Sequence, residues 1–155
     1  MRYLTKGFQP ASCISNLGLV YMQQAAVEIA KGDAVFHDGS GYLTNVGTAF
    51  AATFLGISAE DSDNSGGSDG DLNCAYTPAL ASQMYWVKAA TTTLVAATHI
   101  GLTVDLDAND SIDPGDTTCL YYGFKIVKVD VSANAVAANT QGFAKGYFVH
   151  TADES

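Results

Sequence analysis

From Val27 onward, short apolar runs are cut by turn-forming clusters at close intervals, which leaves room for strands but not for long helices. Lys31-Gly32-Asp33 reads as a turn, and Ala34-Val35-Phe36-His37 as the strand after it. Asp38-Gly39-Ser40-Gly41 is a hairpin signal, because Asp and Gly tolerate the backbone angles of tight turns, and Tyr42-Leu43-Thr44 returns from it. Phe54-Leu55-Gly56-Ile57-Ser58, Leu72 to Thr77 and Met84 to Lys88 read as further strands. So do Gly101 to Leu106, Cys119 to Tyr122, Phe124 to Val131 and Gly146 to His150. Helix-favouring residues collect only at Met22 to Ala30 and Ala79 to Gln83. The expected fold is all-β: a small β-barrel or β-tulip-like domain with at most one or two short helices.

The 155 residues suit one domain with no internal linker, assigned to 25–155, preceded by a segment of different character at 1–24. Met1 to Gln24 carries Tyr3, Leu4, Phe8, Ile14 and Leu17 without strand-like alternation. Apolar side chains in a non-periodic segment need a surface to cover them. Either the segment is a strand and loop packed on its own domain, or it is an extended arm packed on a neighbouring subunit. On the arm reading those five residues form the intersubunit contact, and removal of 1–24 leaves a folded barrel.

Sixteen acidic against seven basic side chains give a formal net charge of −9, which repels phosphate backbones and anionic membrane surfaces. No apolar stretch has the length of a membrane span, and no signal-peptide pattern follows Arg2 and Lys6. Cys13, Cys74 and Cys119 cannot all pair within one chain and lack zinc-site spacing, so free thiols are expected.

No nucleophile, zinc-protease, phosphate-loop or dinucleotide fingerprint occurs, and His37, His99 and His150 stand apart in sequence. No enzymatic activity and no organic cofactor are expected. The acidity concentrates in two loops, Glu60 to Asp71 and Asp107 to Asp116. Asp105, Asp107 and Asn109 alternate and are followed by Asp113 and Asp116, a spacing of oxygen donors that suits a hard cation such as calcium. Asp110 stands where an EF-hand requires glycine, so the loop is not an EF-hand. The competing explanation is turn chemistry, since Asp, Asn, Ser and Gly bond their own main chain.

The ordered segments Ile29-Ala30-Lys31-Gly32-Asp33-Ala34-Val35, Asp38-Gly39-Ser40-Gly41-Tyr42, Phe54 to Asp61, Gly67 to Asp71 and Gly101 to Leu106 resemble the head decoration, or cement, proteins of tailed bacteriophages. The resemblance spans Val27 to Val131 and leaves out the N-terminal segment. It implies a β domain made in the host cytoplasm that binds the outer surface of an assembled capsid and bridges major capsid protein subunits. It also implies self-association, commonly as a homotrimer. A second function class is a carbohydrate- or cell-surface-binding β domain, with Tyr85, Trp86, Tyr121 and Tyr122 as candidate sugar-stacking residues.

Overall fold

A computed structural model describes residues 7–10, 19–22, 26–79, 83–90, 95–132 and 142–151. The strands in chain order are β1 (Gln9–Pro10), β2 (Leu19–Met22), β3 (Glu28–Ile29), β4 (Ala34–His37), β5 (Leu43–Thr44), β6 (Phe54–Ser58) and β7 (Ser62–Asp63). Then come β8 (Asn73–Pro78), β9 (Met84–Ala89), β10 (Thr103–Ala108), β11 (Ser111–Asp113), β12 (Tyr122–Asp130) and β13 (Phe143–His150). Among the described residues helical structure is limited to a 3-10 turn at Ala97–His99 and 3-10 conformation at Thr151. The all-β barrel expected from the sequence is therefore the fold.

Five strands close a barrel in the order β9-β11-β10-β12-β13, with β13 returning to pair with β9. The second sheet, β2-β8-β6-β4-β5, is a half-barrel, and β3 pairs with β7 as a separate ribbon. Burial follows the two-residue period of each strand. On β9, Tyr85, Val87 and Ala89 point into the barrel, while Met84, Trp86 and Lys88 lie between them on the other face. On β4 the alternation separates two cores: Ala34 and Phe36 join the barrel interior, and Val35 joins Val27, Ile29, Leu43, Cys74 and Tyr76 in a smaller one. The half-barrel thus buries both faces, one on the barrel and one under β3.

The Phe54-Leu55-Gly56-Ile57-Ser58 run forms β6 with the bounds expected, and the packing explains its glycine. A Cβ on Gly56 would stand 2.0 Å from the Thr77 carbonyl oxygen on β8, so the strand pair closes only without a side chain there. Other expectations shift. Residues 23–25 of the helix-favouring stretch Met22 to Ala30 lie outside the described residues; of the rest, Met22 ends β2, Ala26 has φ of 57°, and Glu28–Ile29 is β3. Tertiary pairing overrides a weak local preference here. Residues 80–82, within the second helix-favouring stretch, lie outside the described residues.

The acidic stretch from Asp107 to Asp116, expected as a loop, holds the strand that completes the barrel. β11 pairs antiparallel with β10 through Leu106 and Ile112, and parallel with β9 through Lys88 and Ala89. Glu60 to Asp71 likewise contains β7. The consecutive apolar pair Ile126-Val127 marks a bulge: register shifts between Ile126 and Lys128, so Ile126 is buried while Val127 is exposed.

The Lys31-Gly32-Asp33 turn ties the two sheets together. Asp33 Oδ2 accepts hydrogen bonds from the Ala30 N–H at 3.0 Å, from Asn45 Nδ2 at 2.8 Å and from Asn109 Nδ2 at 3.4 Å. Ala34 N–H donates to the Asn109 carbonyl at 2.6 Å. One carboxylate thereby joins its own turn, the segment after β5 and the β10–β11 hairpin. Buried carboxylates persist where several donors replace water.

Candidate interaction surface

The segment 1–24, separated from the domain on sequence grounds, supplies one strand, β1 and β2 respectively, to each of the two larger sheets. β1 pairs with β9 at Trp86 and Tyr85, and β2 pairs with β8 from Asn73 to Tyr76. Phe8 is only 2% exposed, and its ring lies within 6.3 Å, centroid to centroid, of Phe50, Tyr85, Phe124 and Phe148. Phe8, one of the residues assigned to an intersubunit contact, lies in the core of its own barrel. The other residues assigned to that contact, Tyr3, Leu4, Ile14 and Leu17, lie outside the described residues.

The five residues assigned to a cation are not gathered into one ligand set. Asp105 is buried, and its Oδ1 accepts from the Phe50 N–H at 2.6 Å and the Leu106 N–H at 2.7 Å. Asp107 Oδ2 accepts from Ser111 Oγ, and Asn109 turns its amide to Asp33. Asp113 Oδ1 caps the Gly115 N–H, and Asp116 Oδ1 accepts from both the N–H and the hydroxyl of Thr118. The Thr118 hydroxyl, followed by its N–H, holds the Asp116 carboxyl below its ordinary value. In the other acidic loop, Ser65 does the same for Asp63. No group of three His, Cys, Asp or Glu side chains converges among the described residues. Asp63, Asp113 and Asp116 each accept from a main-chain N–H two residues on, within their own turns.

The histidines serve local structure. His37 Nδ1 accepts from the Gly39 N–H at 3.0 Å, His99 Nδ1 accepts from the Ala96 N–H at 2.8 Å, and the His150 ring meets the Tyr122 ring edge-on. Cys74 is buried in the smaller core 3.5 Å from Ser58 Oγ, and burial pushes its thiol above the ordinary range. Cys119 is partly exposed and forms no disulfide among the described residues, and Cys13 lies outside them.

Of the four aromatics proposed to stack on sugars, Tyr85 is 2% exposed inside the barrel. Tyr122 packs its ring on Phe54, and Trp86 is half-buried. Tyr121 is exposed, and so is its neighbour Leu120, at 81%. Both precede β12 at one end of the barrel, where the sequence suggests a strand and the structure has a bend. The peptide unit between Tyr121 and Tyr122 is bonded on both edges: Tyr122 N–H donates to the Phe50 carbonyl, and Thr151 N–H to the Tyr121 carbonyl.

The connection from Asn45 to Thr53 runs beside this bend. Its Phe50 is buried in the barrel and held by Asp105, while its Val46 is 74% exposed. With Phe36, His37, Asp38, Gly39 and Thr44, Val46 and Thr53 line a cavity of about 390 Å³. The Asn45 to Thr53 connection thus supplies Val46 and Thr53 to the concavity and, through the Phe50 carbonyl, an acceptor for Tyr122 N–H beside the bend. Sequence patterning missed it because an apolar residue in a bend reads like one in a strand.

Among the described residues no helix is long and apolar enough to cross a membrane. Comparison with protein-family models, curated proteins and solved structures finds no match to this chain.

Proposed function

We propose that the chain is a virion structural protein that binds the outer surface of an assembled tailed-phage capsid and stabilises it by bridging major capsid protein subunits. Self-association, as a homotrimer, belongs to the same reading, and catalysis does not. The observation that carries the proposal beyond the sequence resemblance is the Leu120-Tyr121 bend, which presents apolar side chains to water on a backbone pinned to Phe50 and Thr151. Apolar side chains left in solvent suit a protein partner, because docking removes their surface from water. A shell gains stability from any protein that binds it better than its separated subunits, and repetition over a lattice multiplies a modest contact.

Because Phe8 lies in the core, this reading relies on the exposed Leu120 and Tyr121 for the contact. The test is co-sedimentation of the purified chain with empty shells of the major capsid protein encoded beside it. Wild type should pellet with the shells, and Leu120→Asp combined with Tyr121→Ser should weaken attachment at least about tenfold. A genome neighbourhood without capsid genes, or a wild-type chain that stays in the supernatant, would overturn the proposal.

A further inference from the structure

We infer that the cavity beside the β4–β5 hairpin is a receptor for one basic side chain, arginine or lysine, presented by a partner protein. At about 390 Å³ it sits near the small end of the range for ligand sites, roughly 300–1,000 Å³. Its lining combines Phe36 and Val46 with His37, Asp38, Thr44 and Thr53. A long basic side chain has the matching division, an apolar stem below a charged head.

The charge arrangement selects the sign. Among the described residues, Asp38 is the only carboxylate in the lining, and no Lys or Arg shares it. Its Oδ1 accepts from the Ser40 N–H at 2.7 Å and the Tyr42 N–H at 3.0 Å, so the group is fixed by backbone donors. The Ser40 and Tyr42 bonds both end on Oδ1, and a carboxylate has about four acceptor sites, so even with the Gly41 N–H it has room for an incoming donor. The Tyr42 N–H first, then those of Ser40 and Gly41, hold the Asp38 carboxyl below its ordinary value, so it is charged at neutral pH. His37 accepts the Gly39 N–H at Nδ1. Thr44 Oγ1, which takes the Val46 N–H at 3.2 Å, can rotate its own hydroxyl proton away from a cation. An anionic ligand would find one fixed negative charge and a chain of net charge −9.

The inference goes beyond the shell-binding reading and is tested without a shell. N-acetyl-arginine N-methylamide is titrated into the full-length chain, with amide resonances of Gly39, Ser40, Val46 and Thr53 as the readout. The citrulline analogue, of similar shape but neutral, is the control. Saturable shifts with a Kd of about 5 mM are expected for the arginine derivative and none for citrulline. Asp38→Asn keeps an oxygen for the Ser40 and Tyr42 amides, so the hairpin stays formed, and binding should fall about tenfold. Val46→Trp blocks the cavity with the charge intact and should also abolish the shifts. Absence of shifts up to about 50 mM, equal shifts with citrulline, or full binding by Asp38→Asn would each overturn it. Failure here leaves shell co-sedimentation untouched, so the two readings fail separately.

Discussion

The backbone N–H of Phe8 donates to the Gly32 carbonyl at 2.7 Å, and this bond seats the start of the chain against the Lys31-Gly32-Asp33 turn. The approach is so close that a Cβ on Gly7 would lie 2.2 Å from the same oxygen. Gly32, at φ of 95°, takes a conformation that favours glycine, and its backbone faces Phe8. The turn therefore does two things: it starts β4, and it holds the segment that plugs the barrel.

Phe8→Ala should cost about 3–5 kcal/mol in urea denaturation, the usual loss for a fully buried aromatic. Removal of residues 1–24 should likewise unfold or strongly destabilise the domain, since it takes away Phe8, β1 and β2 together. A truncated chain with the wild-type melting temperature would mean that Phe8 does not fill the core.

Asp105 links β10 to the connection before β6, fifty-five residues away in sequence. Asp105→Ala leaves the Phe50 and Leu106 N–H groups without their acceptor and should cost about 1–3 kcal/mol. Asp105→Asn keeps an oxygen and should cost less. An alanine variant within about 0.5 kcal/mol of wild type would remove this link from the account of the fold.

Tyr85 should make the protein sensitive to alkali. Burial pushes its phenol up to about 12, and its hydroxyl has no hydrogen-bond partner among the described residues. In the unfolded chain a tyrosine ionises near pH 10, so its contribution is intact below that pH. It is lost as pH rises from about 10 to 12, where the unfolded state releases the proton first, and the loss reaches roughly 2–3 kcal/mol. Tyr85→Phe removes both the titration and the unsatisfied hydroxyl. It should flatten the stability profile in that window and match or exceed wild type at pH 7 by about 1 kcal/mol. An unchanged profile in denaturation curves taken across the window would contradict this.

Gly56→Ala should destabilise by about 2 kcal/mol or more, because β6 and β8 would have to separate around the Thr77 carbonyl. Gly66→Ala is the control: a Cβ there would meet nothing within 4 Å, and the residue has no positive φ, so about 0.5 kcal/mol or less is expected. Equal thermal shifts for the two variants would refute the close-approach argument.

The sequence by itself determined the local layer of this protein. Runs such as Ala34 to His37 and Phe54 to Ser58 name their strands because a two-residue period and flanking turn residues are properties of neighbouring positions. Asp and Gly clusters located the turns for the same reason. What those strands pair with depended on contacts between distant positions. Ser111–Asp113 reads as part of an acidic loop and becomes the strand that closes the barrel, because β9 and β10 offer it hydrogen bonds on both sides. Phe8 reads as part of an unpatterned arm and becomes core, because the ring of aromatics that receives it comes from four other segments. Leu120 reads as strand and stands in water, because the backbone bends there, ahead of the Tyr121–Tyr122 peptide unit that bonds Phe50 and Thr151. Burial and pairing partners are set by long-range packing, and periodicity carries no record of it.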